Sequence, residues 1–352
     1  MKKVINVKKV INVIKGKKEL SFKTFFTFFT FITFITFPLC AAEFSRTAKG
    51  TASGQFLKLG PGARPLALGE AYTAMVDDAS SIYWNPAALA RIRGSAFTFM
   101  HAQHIGPVTY DFASYAQKIS KFVSAGLGIQ YLTVGKVDET DITGTKVGNF
   151  KPTDMAVSLG FSCLITEDEL LSFDPFAKLL DGYSYGLAVK WIRSKITETA
   201  QTASFDIGLL SRGHFNSRFR MALTGHNLGG KMRFDKDRAP LPITLKAGAS
   251  LKLGNSWQLS TETVFPRDNR PHGALGLEKV FSASRYWNIA ARTGYNSRTF
   301  NDVDGFAGAS FGLGFNYTPI YKRRSKNFSL DYAIVPFGAM GLTHKVSISF
   351  MF

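Results

Sequence analysis

From Ser95 to Phe352 the chain alternates apolar with small or polar side chains in stretches of about ten residues, and this pattern restricts the fold more than any other feature. In the last stretch Val346, Ile348, Phe350 and Phe352 fall on one face and Ser347 and Ser349 on the other. Trp287, Ile289, Ala291, Thr293 and Tyr295 oppose Asn288, Ala290, Arg292 and Gly294 in the same way. A period of two is the signature of a strand, since a helix repeats its apolar face at three and four residues. Fourteen segments show it, at 95–103, 107–119, 121–134, 152–163, 183–195, 202–212, 217–226, 241–252, 256–264, 271–280, 286–295, 305–316, 327–334 and 342–352. The number is even, as a bacterial membrane barrel requires if its wall is to begin and end on the periplasmic side. Tyr131, Trp191, Trp257, Trp287, Tyr295 and Tyr317 lie near segment ends. Rings with one polar edge suit the boundary between headgroups and hydrocarbon.

A soluble β-sandwich or β-propeller also alternates, but buries its apolar face against protein and needs no secretion signal. A wall of this many hairpins must close or hide its edges. The pattern therefore predicts an all-β fold, a transmembrane antiparallel β-barrel of about fourteen strands in the bacterial outer membrane. With the apolar face toward lipid, the lumen face carries Gln130, Lys190, Asp206, Lys246, Glu262, Glu278, Arg292 and Asp331 among many Gly, Ser and Ala residues. Charges of both signs predict pairing across a polar, partly filled interior, a structural role ahead of one in selectivity. Wall glycines would relieve crowding against a plug or permit bends.

The one long apolar run, from Phe25 to Leu39, follows eight lysines between Lys2 and Lys23. That order reads as a secretory signal over residues 1–42, with a small-residue cleavage site at Ala41 and Ala42. Cys40 offers the alternative of a lipid-modified cysteine, against which Leu39 is bulky where such a signal wants a small residue. Loss of residues 1–42, with eight lysines and one glutamate, takes the net charge from +18 to +11 and leaves Cys163 as the only cysteine. A mean hydropathy of +0.00 leaves no room for a bundle of membrane helices. The basic residues are scattered apart from Lys322, Arg323, Arg324 and Lys326, so no nucleic-acid footprint forms.

Connection lengths set an orientation. Gly254-Asn255 and Ser120 make tight links that suit the periplasmic end, which places 135–151, 227–240, 265–270, 296–304 and 335–341 outside. Residues 164–182 are a long periplasmic exception, in which leucines and phenylalanines amid acidic residues predict a short amphipathic helix.

Residues 50–92 do not read as wall, being dense in Gly, Ala and Pro. Leu68, Tyr72 and Met75 are spaced to share a short helical face, and Asn85 followed by Pro86 reads as an N-cap with proline at the first helical position. The expectation is an N-terminal hatch containing short helices at 43–94, inside a barrel at 95–352. Its content of Leu, Tyr, Trp and Met weighs against the alternative of a flexible leader. Phe56, Leu59, Tyr72 and Trp84 are candidates for a hatch-side ligand pocket, with Asn85 and Pro86 beside them.

Three stretches in this block, residues 62–64 (GAR), 69–74 (GEAYTA) and 77–87 (DDASSIYWNPA), resemble the N-terminal signature of the PorV/PorQ family, within the wider FadL-like group of outer-membrane barrels. Residues 331–338 (DYAIVPFG) and 341–350 (GLTHKVSISF) resemble that family's final hairpin. Ala88-Leu89 stands where many relatives have glycine and leucine, and Ala339-Met340-Gly341 replaces a more polar last turn. The resemblance implies a fourteen-stranded barrel with an internal hatch. It also implies one of two functions: passage of long-chain fatty acids or other hydrophobic compounds, or a PorV-like part in type IX secretion that binds and shuttles exported proteins. A purely structural barrel is the third possibility. Expected partners are outer-membrane lipids, the barrel assembly machinery through the C-terminal strand ending at Phe352, and hydrophobic small molecules or else secretion-system proteins and their cargo. An enzyme is not expected, since the six histidines assemble no nucleophile-base pair, and neither a cofactor nor a metal is expected.

Overall fold

A computed structural model describes residues 44–166, 180–234, 237–299, 308–319, 326–336 and 341–352. The signal segment 1–42, most of the helix expected at 164–182 and most of the basic cluster at 322–326 lie outside the described residues. The strands are β1 (Ser95–Gln103), β2 (Val108–Lys118), β3 (Val123–Val134), β4 (Val137–Thr140), β5 (Lys146–Phe150), β6 (Thr153–Leu164), β7 (Ser184–Lys195), β8 (Thr199–Leu210) and β9 (Phe219–Leu228). They continue as β10 (Lys231–Phe234), β11 (Asp237–Pro240), β12 (Thr244–Leu253), β13 (Trp257–Pro266), β14 (His272–Ser282), β15 (Trp287–Asn296), β16 (Ala309–Tyr317), β17 (Asn327–Pro336) and β18 (Leu342–Met351). Two pairs, β4–β5 and β10–β11, are separate hairpins, and the other fourteen strands close into one antiparallel barrel in which β1 pairs with both β2 and β18. At the seam Ser95 and Phe352 exchange backbone hydrogen bonds of 2.8 and 2.9 Å, so the start and end of the wall meet at one rim. Closure satisfies every strand edge, which lipid cannot do.

The alternation has the consequence expected of it. Along β7 every second residue is buried, and Tyr185, Leu187, Val189 and Trp191 point outward. Across the wall Phe97, Phe99, Leu187, Val189, Phe311 and Leu313 are between 39% and 54% exposed. Outward aromatic residues mark the edges of this belt. On β15 Trp287 and Tyr295 are eight residues apart, about 26 Å along the strand, or roughly 20 Å of height at a tilt of about 40°. No described helix is long and apolar enough to cross a membrane.

The lumen is filled by residues 44–92, folded as short helical turns at Arg46–Ala48, Gln55–Lys58, Ala63–Ala67, Ser81–Trp84 and Pro86–Arg91. Trp84, Tyr72, Leu68, Met75, Ile82 and Leu89 are at most 1% exposed. The plug fits because the wall carries glycine where it passes. A Cβ on Gly294 would lie 2.0 Å from Gly69 N, one on Gly186 2.3 Å from the Pro86 carbonyl carbon, and one on Gly208 2.2 Å from Asn85 Oδ1.

Two expectations are corrected here. Leu68, Tyr72 and Met75 do not share a helical face: the helix stops at Ala67, and Gly69 and Glu70, at φ 65° and 70°, turn the chain. They still meet in one buried cluster with Trp84, because the turns carry them back across the lumen. The 227–240 connection is not simply an outward loop. Its β10–β11 hairpin tucks onto the plug, with Met232 and Leu241 fully buried beside Phe56 and Leu57, and Ser53 N donates to Pro240 O at 2.9 Å. Those apolar side chains gain more against the plug than in water.

Candidate functional site

The site is the seat of the plug together with the cavities at its two ends. Arg64, the second residue of the helix Ala63–Ala67, forks onto Glu278 of β14, with Nε and Nη2 each 3.0 Å from a carboxylate oxygen. Its Nη1 also donates to Asp77 Oδ1 at 2.8 Å. Glu278 accepts from Arg292 Nε at 2.6 Å, and Arg292 Nη1 donates to Asp331 at 2.6 Å, so plug and three wall strands share one ionic network. Burial works against the charge of Asp77, but Arg64 and Arg91 outweigh it and hold the carboxyl below the usual range. Asp78 goes the other way, raised by burial and by the charge of Asp77 despite hydrogen bonds from Ser80.

A second anchor is Glu262 on β13. Its Oε2 accepts from the backbone N–H groups of Tyr72 and Thr73 at 3.1 and 2.9 Å and from the Thr73 hydroxyl at 2.5 Å. Lys246 Nζ lies 3.3 Å from Oε1 and 4.8 Å from the centre of the Trp84 ring. Smaller contacts complete the seat. Ser347 Oγ accepts from Ala63 N, Ser310 Oγ accepts from Gly69 N, and Asn296 Nδ2 donates to Gly69 O, at 3.0 to 3.1 Å. Asn85 caps the following turn as its sequence implies, accepting from Ala87 N at 3.0 Å, and also donates to Thr73 O at 3.1 Å.

On the side that the connection lengths assign to the periplasm, Arg64, Asp77, Asp78, Glu278, Arg292 and Asp331 border a cavity of ≈ 270 Å³. On the opposite side, the one assigned to the outside, a smaller cavity of ≈ 60 Å³ is lined by Leu57, Lys58, Glu70, Tyr83, Lys190, His226, Lys246, Val264, His272 and Arg298 among others. Among the described residues none lines both cavities.

The lumen charges read from the sequence all point inward, and the structure brings them into pairs: Lys190 with Asp206 at 2.7 Å, Lys246 with Glu262, and Arg292 with Glu278 and Asp331. Gln130 joins them less directly, donating to the Tyr110 hydroxyl, which in turn donates to Leu59 O. The six hatch residues expected around a ligand line neither cavity. Phe56, Tyr72, Trp84, Asn85 and Pro86 are buried and Leu59 is partly buried, because the glycine-lined wall lets the plug pack against it without gaps. Sequence reasoning missed Arg64, Asp77, Tyr83, Glu70, His226 and Arg298 as site residues. Arg64 and Asp77 did stand inside the conspicuous N-terminal motifs, whereas the inward strand parity of His226 was the only sign of its place.

Comparison with known proteins fits this geometry. Residues 39–149 match an uncharacterised protein family, UPF0164, and no curated protein matches the chain in sequence. Among solved structures the chain is similar to a FadL homologue of Pseudomonas aeruginosa, at 11% identity and a TM-score of 0.50, covering 82% of this chain and 97% of that one. It is similar to the toluene transporter TodX of Pseudomonas putida at 10% identity and 0.50, covering 83% and 96%. The toluene transporter TbuX of Ralstonia pickettii gives 11% and 0.51, covering 83% and 97%. At these identities the likeness is one of fold. A closed antiparallel wall with an apolar outer belt and a polar, plugged interior is built for lipid, and the chain is a fourteen-stranded β-barrel of the bacterial outer membrane that shares the fold of the FadL-like barrels.

Proposed function

We propose that the protein is a passive route across the outer membrane for long-chain fatty acids or other hydrophobic small molecules, with the plug as the part that moves. The observation that carries this reading is a lumen divided into an outer and an inner cavity by a plug whose seat on the wall combines apolar packing with ion pairs and hydrogen bonds. The polar contacts re-form with water when the plug shifts, which a covalent tie would not allow. The fold shared with proteins described as toluene transporters points the same way. Phe56, Leu59, Tyr72, Trp84, Asn85 and Pro86 line the route only once the plug has shifted. Residues 1–42 are removed as a signal peptide, and the hatch at 43–94 and the wall at 95–352 work as the two functional parts.

A cross-link tests it. A Cβ on Gly248 would lie 3.4 Å from Thr73 Cβ, close to disulfide spacing, so T73C/G248C in the Cys163→Ser background ties plug to wall. Fatty-acid entry into proteoliposomes is expected to stop on oxidation and return on reduction. Unchanged flux after complete oxidation removes the plug from the mechanism, and no flux in either state removes the transport reading.

A second reading, a PorV-like component of type IX secretion, is favoured by the motifs at 62–64, 69–74 and 77–87. Gentle extraction from the native outer membrane followed by mass spectrometry separates the two readings, since a shuttle brings secretion proteins or cargo with it. Insertion through the barrel assembly machinery, guided by the strand ending at Phe352, belongs to either.

A further inference from the structure

The outer cavity contains a polar group that anchoring of the plug leaves unused. His226 on β9 is 6% exposed, and its Nδ1 lies 3.1 Å from Asp206 Oδ2. Asp206 is engaged as an acceptor, with Lys190 Nζ 2.7 Å from Oδ2 and Asn227 N donating to Oδ1 at 2.8 Å. A carboxylate has no proton to give, so His226 Nδ1 carries the hydrogen, and in the neutral ring the lone pair is at Nε2. That atom is buried on a side chain lining the cavity and has no hydrogen-bond partner among the described residues. Lys246 lines the same cavity from the adjacent strand. His226 pairs with Thr244, two residues from Lys246 on the same face, within the diagonal reach of a long side chain. Glu262 and the Trp84 ring occupy two directions around the Lys246 ammonium, leaving a third donor.

The remaining lining decides what chemistry fits. Lys58, Lys190, Lys246 and Arg298 each have a carboxylate within 3.3 Å, from Asp268, Asp206, Glu262 and Glu70, so among the described residues the cavity has no uncompensated cation for an anionic head. Leu57, Tyr83, Val264 and Pro266 supply apolar surface. Its ≈ 60 Å³ corresponds to about four to six water-sized spheres, room for a polar head group with the body of the ligand outside it.

We propose that this cavity binds the hydroxyl end of an uncharged amphipathic molecule, an alcohol or phenol, whose O–H donates to His226 Nε2 and whose oxygen accepts from Lys246. A hydrocarbon there leaves Nε2 buried and unpaired, and a carboxylate brings no hydrogen to it. The inference rests on the transport reading and narrows it to hydroxylated compounds.

The test uses the full barrel in nanodiscs of phosphatidylethanolamine and phosphatidylglycerol. Equilibrium dialysis measures binding of p-cresol, toluene, 4-methylanisole and 4-methylbenzoate, with empty nanodiscs subtracted. p-Cresol is expected to bind at least about tenfold more tightly than the other three. His226→Phe should bring p-cresol within about twofold of toluene and leave toluene unchanged. His226→Gln, whose amide can donate to Asp206 and still accept at its oxygen, should keep most of the preference. Should His226→Phe not fold, the wild-type ligand series and His226→Gln decide. Toluene binding as tightly as p-cresol, or 4-methylbenzoate binding more tightly, overturns the inference and leaves the transport reading intact. Binding of none of the four also overturns it, and the transport reading then stands or falls on the cross-linked flux experiment.

Discussion

Replacing Arg64 with alanine removes a forked, charged attachment of the plug to the wall. The guanidinium makes two 3.0 Å bonds to Glu278, whose side chain is 4% exposed while that of Arg64 is 20% exposed. Breaking a buried ion pair from one side costs about 3–5 kcal/mol. Glu278 keeps Arg292 at 2.6 Å, so the lower end applies, and the bond to the more exposed Asp77 adds little. A loss of about 3 kcal/mol lowers the ratio of docked to undocked plug roughly a hundredfold. Arg64→Lys keeps the charge but loses the fork, and about tenfold is expected. Hydrogen exchange on the barrel in nanodiscs reads this directly, because the amides of Gly69, Tyr72 and Thr73 donate to wall side chains. Their protection should fall by those factors while amides in β6 and β7 hold theirs. Protection of the plug unchanged within threefold in Arg64→Ala would refute the reasoning, as would an equal loss in plug and wall.

Three further predictions follow from the same seat and its outer rim. Gly294→Ala puts a Cβ 2.0 Å from plug backbone, whereas at Gly273 the nearest atom is 3.9 Å away, so the first should lower thermal stability by about 3 kcal/mol or expel the plug and the second should be nearly silent; equal midpoints in heat-modified electrophoresis count against the fit. Asp77 is held below its ordinary value of 3.8, so its contribution is complete above that value and is lost as pH falls through the lowered one. In a variant with Trp84 as its only tryptophan, emission should shift red over that acid window and at higher pH in Arg64→Ala, and coincident titrations would argue against the pairing. Burial, with Lys345 and Arg298 nearby, lowers His104 from 6.5 to about 4, so stability should fall as pH drops from 6.5 toward 4, and His104→Gln should flatten part of that slope in thermal melts.

The strand alternation is a local property: successive side chains of a pleated strand point to opposite faces wherever the strand lies, so residues such as Leu187 and Lys190 could be assigned to lipid and lumen without coordinates. The same parity made Glu278, Arg292 and Asp331 legible as lumen charges, and the glycine-rich block before Ser95 was legible as something other than wall. What parity leaves open is which inward residue meets which across the lumen. That depends on closure of the barrel, on the register of each pair and on the path of the plug. Arg64 meets Glu278 across 214 positions of sequence, and the outer cavity gathers Lys58, Tyr83, His226 and Arg298 from four separate segments. The tucking of β10–β11 and the turn of the chain at Gly69 and Glu70 belong to the same class, being settled by packing against neighbours distant in sequence. The sequence by itself determined a lipid-facing wall and a polar interior, because each strand's faces follow from its own residues. Only the tertiary structure decided how the interior is filled and where a small molecule has room, because those contacts join residues that nothing local relates.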